Sequence, residues 1–139
     1  MSVTFIESPS GLIMPPRSRL YSLKPYGLGT GNVESLTSFI TRLADAHCLP
    51  VWMLVSREVA PLFSAKMVEK KSGTCDLFKS LGSAINGNNS TALRMAEVIS
   101  ELTGLHREVL LQLTLASCGV SIARKPLLSK QQKWCSVCL

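Results

Sequence analysis

Apolar residues that recur every three or four positions are the feature that most limits the fold of this chain. One such stripe begins after Asn32 and consists of Val33, Leu36, Phe39, Ile40, Leu43 and Ala44. This spacing predicts a helix with Asn32 as its N-cap and an end near His47. No long segment alternates apolar and polar residues, as a half-buried strand would. We therefore expect a mainly α fold for the 139 residues.

The next segment, LADAHCLPVWMLVSR (43–57), has the spacing of a helix-turn-helix. Its turn falls at Cys48, and a second short helix is predicted over Val51–Ser56. A recognition helix needs polar or basic side chains aimed at base edges, and this helix begins with five apolar residues. Only Ser56 and Arg57 are suited to base reading or phosphate contact. A DNA-reading hairpin and a hairpin that only packs both remain open.

The apolar pattern of the remaining chain predicts four more helices. They cover Glu58–Met67, Asp76–Ile85, a segment from Asn89 or Ser90 to Thr103, and a segment with Val109, Leu110 and Leu113. Residues 86–90, NGNNS, are expected to form the turn before the third of these helices. Gly104 can adopt the left-handed conformation that ends a helix, so the last two helices form a second hairpin.

Proline and glycine are frequent at the start of the chain and predict an irregular N-terminal arm over residues 1–31. The arm contains GLGTG (27–31), which lacks the GK[ST] ending of a phosphate-binding loop and follows no predicted strand, so nucleotide binding is not favoured. A helical domain is expected over residues 32–117. Residues 118–139 are expected to be a basic linker with an incomplete zinc-finger half-site.

Basic residues are concentrated near the C-terminus. The chain has 15 Lys and Arg against 9 Asp and Glu. The last acidic residue is Glu108, and the candidate phosphate contacts beyond it are Arg124, Lys125, Lys130 and Lys133. Together with Arg57, these side chains would bind DNA without sequence preference and with strong salt dependence. Charged residues make up only 17% of the chain, against a usual value of about 25%, so apolar surface is expected to contact a protein partner.

Cys135 and Cys138 form the sharpest local motif, WCSVC. Two cysteines with this spacing can bind one zinc ion, but a structural site needs four ligands. The other cysteines and histidines lack a paired spacing, so we expect half of a zinc knuckle. A redox pair is less favoured because no strand precedes the motif and no helix follows it. An inert tail is the remaining interpretation.

Other classes of protein are disfavoured by what the sequence lacks. There is no signal-peptide pattern, and the longest uncharged run, Val109–Ala123, is too short and too polar to span a membrane. Five cysteines without an export signal indicate reduced thiols, so the chain is expected to be cytoplasmic. No catalytic constellation is assembled, and His47 and His106 are expected to be cap or packing residues, so we do not expect an enzyme.

Four segments of the chain together resemble the TniQ family, the target-selection and accessory proteins of Tn7-like and related transposons. They are PPRSRLYSL (15–23), VESLTSFITRLADAHCL (33–49), ELTGLHREVLLQLTL (101–115) and KWCSVCL (133–139). The resemblance implies a helical region with helix-turn-helix elements, a zinc-binding module and no catalytic chemistry. It also implies an adaptor that associates with DNA and brings a transposon AAA+ ATPase and a transposase to a target.

The sequence departs from the family pattern at the zinc module. The second Cys/His pair of the finger is absent, and Ser136 stands where the family commonly has proline. We therefore expect a truncated, N-terminal part of a TniQ-like protein, with zinc as its cofactor only if the half-site can hold it. Expected partners are DNA, a AAA+ transposition ATPase, other transposition proteins and a second copy of the chain. The alternative is a helical protein-interaction module, or a non-functional remnant, without DNA binding.

Overall fold

The computed structural model describes residues 17–65 and 84–118. Its elements are helix α1 (Leu36–Ala46), helix α2 (Val51–Leu54), a π-helical turn (Val55–Val59), helix α3 (Ala60–Ala65), helix α4 (Ser90–Thr103), helix α5 (Arg107–Leu111) and a 3-10 turn (Leu115–Cys118). Since these two ranges contain no strand, the expected mainly helical fold is confirmed for them. Most of the helix predicted over Asp76–Ile85 lies outside the described residues.

The buried side chains of the described residues form one apolar cluster. Helix α1 packs on α2, while α4 packs on α3, on the π turn and on α5. The largest fully buried side chains are Phe39, Leu36, Ile40, Leu43, Leu54, Ile85, Met95, Ile99 and Leu110. No helix in the described ranges is long and apolar enough to cross a membrane.

Helix α1 begins later than predicted, because Ser35 and not Asn32 is its N-cap. The Ser35 hydroxyl accepts the N–H of Ser38 at 3.2 Å. The two preceding N–H groups are bound from distant parts of the chain: Leu36 donates to the carbonyl of Leu113 at 2.9 Å, and Thr37 donates to Asn86 Oδ1 at 3.1 Å. The free N–H groups of a helix N-terminus are costly to bury, so these bonds fix the start of α1.

The turn after α1 confirms Cys48 as the predicted turn residue. Cys48 has a positive φ of 54°, the left-handed conformation usually taken by glycine. Its N–H donates to the carbonyl of Asp45 at 2.9 Å, and the N–H of Leu49 donates to the carbonyl of Ala44 at 3.0 Å. These two bonds are those of a Schellman motif, which satisfies the last carbonyls of a helix. The backbone conformation of Cys48 and these two hydrogen bonds therefore fix the turn between α1 and α2.

The prediction of two separate helices at Val51–Ser56 and Glu58–Met67 is wrong, because residues 51–65 form one continuous helical segment. Its middle is the π turn, in which the N–H of Ala60 donates to the carbonyl of Val55. Pro61 explains the wider turn: in a regular α-helix its ring would clash with the carbonyl four residues earlier. The extra residue also keeps Val59 and Phe63 buried.

The second hairpin is close to its prediction. Asn89 caps α4 by accepting the N–H of Ala92 at 3.0 Å. The helix ends at Gly104, whose φ of 72° is the left-handed conformation that the sequence predicted. Helix α5 then starts after His106, which occupies its N-cap position. Local capping residues thus define both ends of α4.

Residues 17–35 form no regular element but lie against the helical core. The N–H of Leu20 donates to the carbonyl of Leu102, at the end of α4, at 2.8 Å. The Leu20 side chain is only 5% exposed and belongs to the apolar cluster. The segment around Leu20 is therefore anchored to the second hairpin. The residues that follow it extend to the first hairpin, formed by α1 and α2.

Candidate nucleic acid interface

The hairpin formed by α1, α2 and the π turn contains the described candidate for DNA contact, Arg57. Arg57 is exposed in the π turn, and within the described ranges its side chain forms no ion pair or hydrogen bond. The next residue, Glu58, is half-buried and forms an ion pair with Arg19. Since Arg19 already neutralises the neighbouring carboxylate, the positive charge of Arg57 is available to a phosphate group.

Trp52 is the largest exposed side chain of the hairpin, and the sequence reasoning missed it. The five apolar residues at the start of the second helix differ in exposure: Leu54 and Val55 are buried, while Trp52 is 63% exposed. The helical phase could have shown this, because Trp52 lies about 200° around the helix axis from the buried Leu54. Trp52 and Arg57 are therefore both exposed side chains of one helical segment.

A stacked pair of rings lies at the turn of the hairpin. The rings of Tyr21 and His47 are nearly parallel, with an angle of 13° and centroids 4.1 Å apart. The backbone N–H of Tyr21 also donates to His47 Nε2 at 3.0 Å. His47 is in addition the C-cap of α1, which confirms the predicted cap and packing role. These contacts hold Tyr21 in place although its side chain is 57% exposed.

Arg42 fixes the loop that precedes α1. Its guanidinium forms an ion pair with Glu34 at 2.6 Å and donates to the carbonyl of Lys24 at 3.0 Å. It also lies over the ring of Tyr26, 4.0 Å from the centroid. The hydrogen bond that Arg42 donates to the Glu34 carboxylate raises the pKa of Arg42 above its ordinary value. Arg42 is thus a structural residue.

The glycines of GLGTG (27–31) are explained by the backbone conformation of this loop. Gly27 has a φ of 68°, and a Cβ at this position would collide with the backbone oxygen of Asn32. The carbonyl of Gly27 accepts hydrogen bonds from both the backbone N–H and the hydroxyl of Thr30, at 3.0 and 2.8 Å. The loop is therefore a tight turn held by its own residues, which accounts for its glycine content without a phosphate ligand.

Charge is unevenly distributed between the two described ranges. Residues 17–65 have five basic and three acidic side chains, whereas residues 84–118 have two basic and three acidic ones. In the first range, Arg19 and Arg42 are paired with glutamates. The remaining charged side chains of that range are Arg17, Lys24, Arg57 and Asp45. Residues 17–65 thus have a net charge of +2 (five basic minus three acidic side chains), against −1 (two minus three) for residues 84–118.

The other predicted site residues lie outside the described ranges. These are the zinc ligands Cys135 and Cys138 and the basic residues Arg124, Lys125, Lys130 and Lys133. Within residues 17–65 and 84–118, no three His, Cys, Asp or Glu side chains are grouped to hold a metal ion. Cys48 and Cys118 are both exposed and free.

Comparison with known proteins identifies the family. Among curated proteins, none matches the chain. The family model of TniQ matches residues 25–139, which include every described helix and the cysteine pair near the C-terminus. Since this match covers most of the sequence, the chain belongs to the TniQ family.

Proposed function

We propose that the chain is an adaptor in transposition target selection that contacts DNA mainly through phosphates and recruits a AAA+ transposition ATPase. Membership of the TniQ family carries the proposal, because it implies a transposition-associated target-selection role. The adaptor itself performs no reaction in this proposal and acts in the cytoplasm. Other transposition proteins and a second copy of the chain are further expected partners.

The exposed charge of Arg57 supports the DNA contact. Arg57 is exposed and not neutralised by a described carboxylate. The sequence adds Arg124, Lys125, Lys130 and Lys133 in a segment without acidic residues. Each phosphate neutralised by a basic side chain releases counterions, so binding should weaken steeply as salt rises. This mode of binding requires no base sequence.

We propose that Cys135 and Cys138 hold a zinc ion weakly. Thiolates are good zinc ligands, but two of them fill only half of a tetrahedral site. When bound, zinc would hold the two thiolates together.

A gel-shift titration of duplex DNA at low and high salt tests the DNA contact. We expect a salt-sensitive shift, and loss of most of it when Arg124, Lys125, Lys130 and Lys133 are changed to Ala. Arg57→Ala should lower the slope of log affinity against log salt by about 1. The matched control is Arg107→Ala, because Arg107 is paired with Glu97 in the other described range and should leave the shift unchanged.

The second candidate function is a helical protein-interaction module without DNA affinity. The low charge content and the exposed Trp52 favour it. Absence of any salt-sensitive shift, together with co-purification of the AAA+ ATPase of the same transposon, would select this second candidate. A salt-sensitive shift that depends on the basic residues would reject it.

A further inference from the structure

Asn86 connects three parts of the described fold. Its side-chain oxygen accepts the N–H of Thr37 at 3.1 Å, and its side-chain nitrogen donates to the Thr37 hydroxyl at 2.9 Å. Its backbone carbonyl accepts the N–H of Leu115, at the start of the 3-10 turn, at 2.9 Å. The carboxamide of Asn86 therefore holds the first turn of α1, while its backbone holds the 3-10 turn that follows α5.

The residue after Asn86 is a glycine, and Asn-Gly is the dipeptide at which asparagine loses ammonia most readily. In this reaction the backbone nitrogen of the following residue attacks Cγ of the carboxamide, and glycine has no side chain that would hinder the attack. The other asparagines of the chain, Asn32, Asn88 and Asn89, all precede residues with a side chain. The local sequence therefore favours deamidation at Asn86 over the other three positions.

Both reacting groups of this dipeptide are bound to other partners in the folded chain. The two polar atoms of the Asn86 carboxamide are bonded to Thr37, which is only 7% exposed. The N–H of Gly87 donates to the carbonyl of Ala84 at 3.2 Å, and Gly87 is itself buried. For the reaction, the carboxamide must rotate away from Thr37 and the Gly87 nitrogen must lose its proton. Both steps require these hydrogen bonds to break, which costs free energy.

We propose that Asn86 is a site of spontaneous deamidation, and that its contact with Thr37 suppresses the reaction in the folded chain. When the contact opens, the Gly87 nitrogen loses its proton to solvent and bonds to Cγ of Asn86. The bond from Cγ to Nδ2 breaks, and the nitrogen takes a proton from solvent and leaves as ammonia. Water then hydrolyses the succinimide ring at either carbonyl and gives aspartate or isoaspartate. The inference is independent of the proposed function, because it concerns no ligand.

The two products differ in their effect on α1. Aspartate keeps an oxygen that can accept the N–H of Thr37, and its negative charge suits a helix N-terminus. In isoaspartate the main chain runs through Cβ and Cγ, so the oxygen that bound Thr37 becomes a backbone carbonyl oxygen. The former carbonyl that bound Leu115 becomes part of a carboxylate. Isoaspartate at position 86 therefore removes the contacts that hold the start of α1.

Peptide mapping by mass spectrometry tests this site, after the full chain has been incubated at mildly alkaline pH in buffer and in urea. In urea, Asn86 should deamidate faster than Asn88, and Gly87→Ala should slow the reaction at Asn86. In buffer, the rate at Asn86 should be about ten- to thirtyfold lower than in urea. This is the factor by which two hydrogen bonds of ordinary strength favour the closed contact, about ten to thirty.

Thr37→Val tests the contact itself, because it removes the hydroxyl that binds Nδ2 and keeps the branched shape of a buried side chain. In buffer it should raise the rate at Asn86 about three- to tenfold, as expected for the loss of one hydrogen bond. Thr41→Val is the matched control, since the Thr41 hydroxyl donates to the carbonyl of Thr37 within α1. Its rate at Asn86 should equal that of the unchanged chain, and circular dichroism should show that both variants keep their helices.

Equal rates at Asn86 in buffer and in urea would overturn the inference, as would the absence of any preference for Asn86 over Asn88 in urea. A folded Thr37→Val chain that reacts no faster than the unchanged chain would overturn it too. An equal rise in Thr41→Val would show that the contact with Thr37 is not what suppresses the reaction. If Thr37→Val loses its helices, the unchanged chain in buffer and in urea, together with Gly87→Ala, decides the outcome.

Discussion

Cys48 adopts a backbone conformation that is unfavourable for every residue with a Cβ. Its φ of 54° completes the Schellman motif after α1, a position usually occupied by glycine. We predict that Cys48→Gly raises the free energy of unfolding by up to about 1 kcal/mol, because glycine relieves the contact between Cβ and the carbonyl. Urea unfolding followed by circular dichroism measures the change.

The control for this prediction is Cys48→Ala, which removes the thiol but keeps the Cβ and the unfavourable conformation. Its stability should be close to that of the unchanged chain. A gain for alanine equal to that for glycine would mean that the thiol, and not the backbone, is the source of strain. A loss for glycine would contradict the backbone explanation altogether.

Single residues also show what the sequence could and could not predict about the candidate site. Arg57 was identified because its charge follows an apolar helix, which is a local signal. The contact of Tyr21 with His47 joins residues 26 positions apart, and that of Arg19 with Glu58 joins residues 39 positions apart. No local pattern predicts such pairs, because they depend on how the N-terminal segment crosses the hairpin.

Helix α1 depends at its N-terminus on a residue from another element. Asn86 accepts the N–H of Thr37 at 3.1 Å and donates to the Thr37 hydroxyl at 2.9 Å. We predict that Asn86→Ala lowers the free energy of unfolding by about 1–2 kcal/mol, because an N–H in the first helical turn loses its partner. Thermal or urea unfolding measures the loss.

Asn88→Ala provides a matched control for Asn86→Ala. Asn88 lies in the same turn before α4, is exposed, and forms no hydrogen bond with the described residues. Its replacement should change stability by less than about 0.5 kcal/mol. Equal effects of the two substitutions would indicate that the turn as a whole matters, and not the bonds to Thr37.

Helix ends that are fixed by neighbouring residues were predicted from the sequence, and those fixed by distant residues were not. The ends of α4 were predicted because Asn89 and Gly104 act on their own neighbours. The start of α1 was misplaced because both Asn32 and Ser35 are good N-caps, and bonds from Asn86 and Leu113 select Ser35. The π turn was missed because Pro61 is equally suited to the first turn of a separate helix.

For the whole molecule, the composition of the chain predicts its metal content. We expect less than one tightly held zinc ion per chain, because Cys135 and Cys138 supply two of the four ligands of a structural site. Elemental analysis after dialysis against a chelator measures the ratio. One full equivalent that disappears in Cys135→Ala would contradict this prediction and would show that Cys118, a histidine or a second chain completes the site.

The π turn has a consequence for how the length of this chain can vary. A regular α-helix turns by about 100° per residue, so residues four apart drift by about 40° around its axis. The π turn absorbs one additional residue and thereby returns Val59 and Phe63 to the core. Loss of a single codon within residues 55–59 would restore a plain α-helix with the same buried face only if Pro61 were also replaced, because its ring would otherwise clash with the carbonyl four residues earlier. A relative that is one residue shorter at this turn is therefore expected to lack a proline at the position of Pro61.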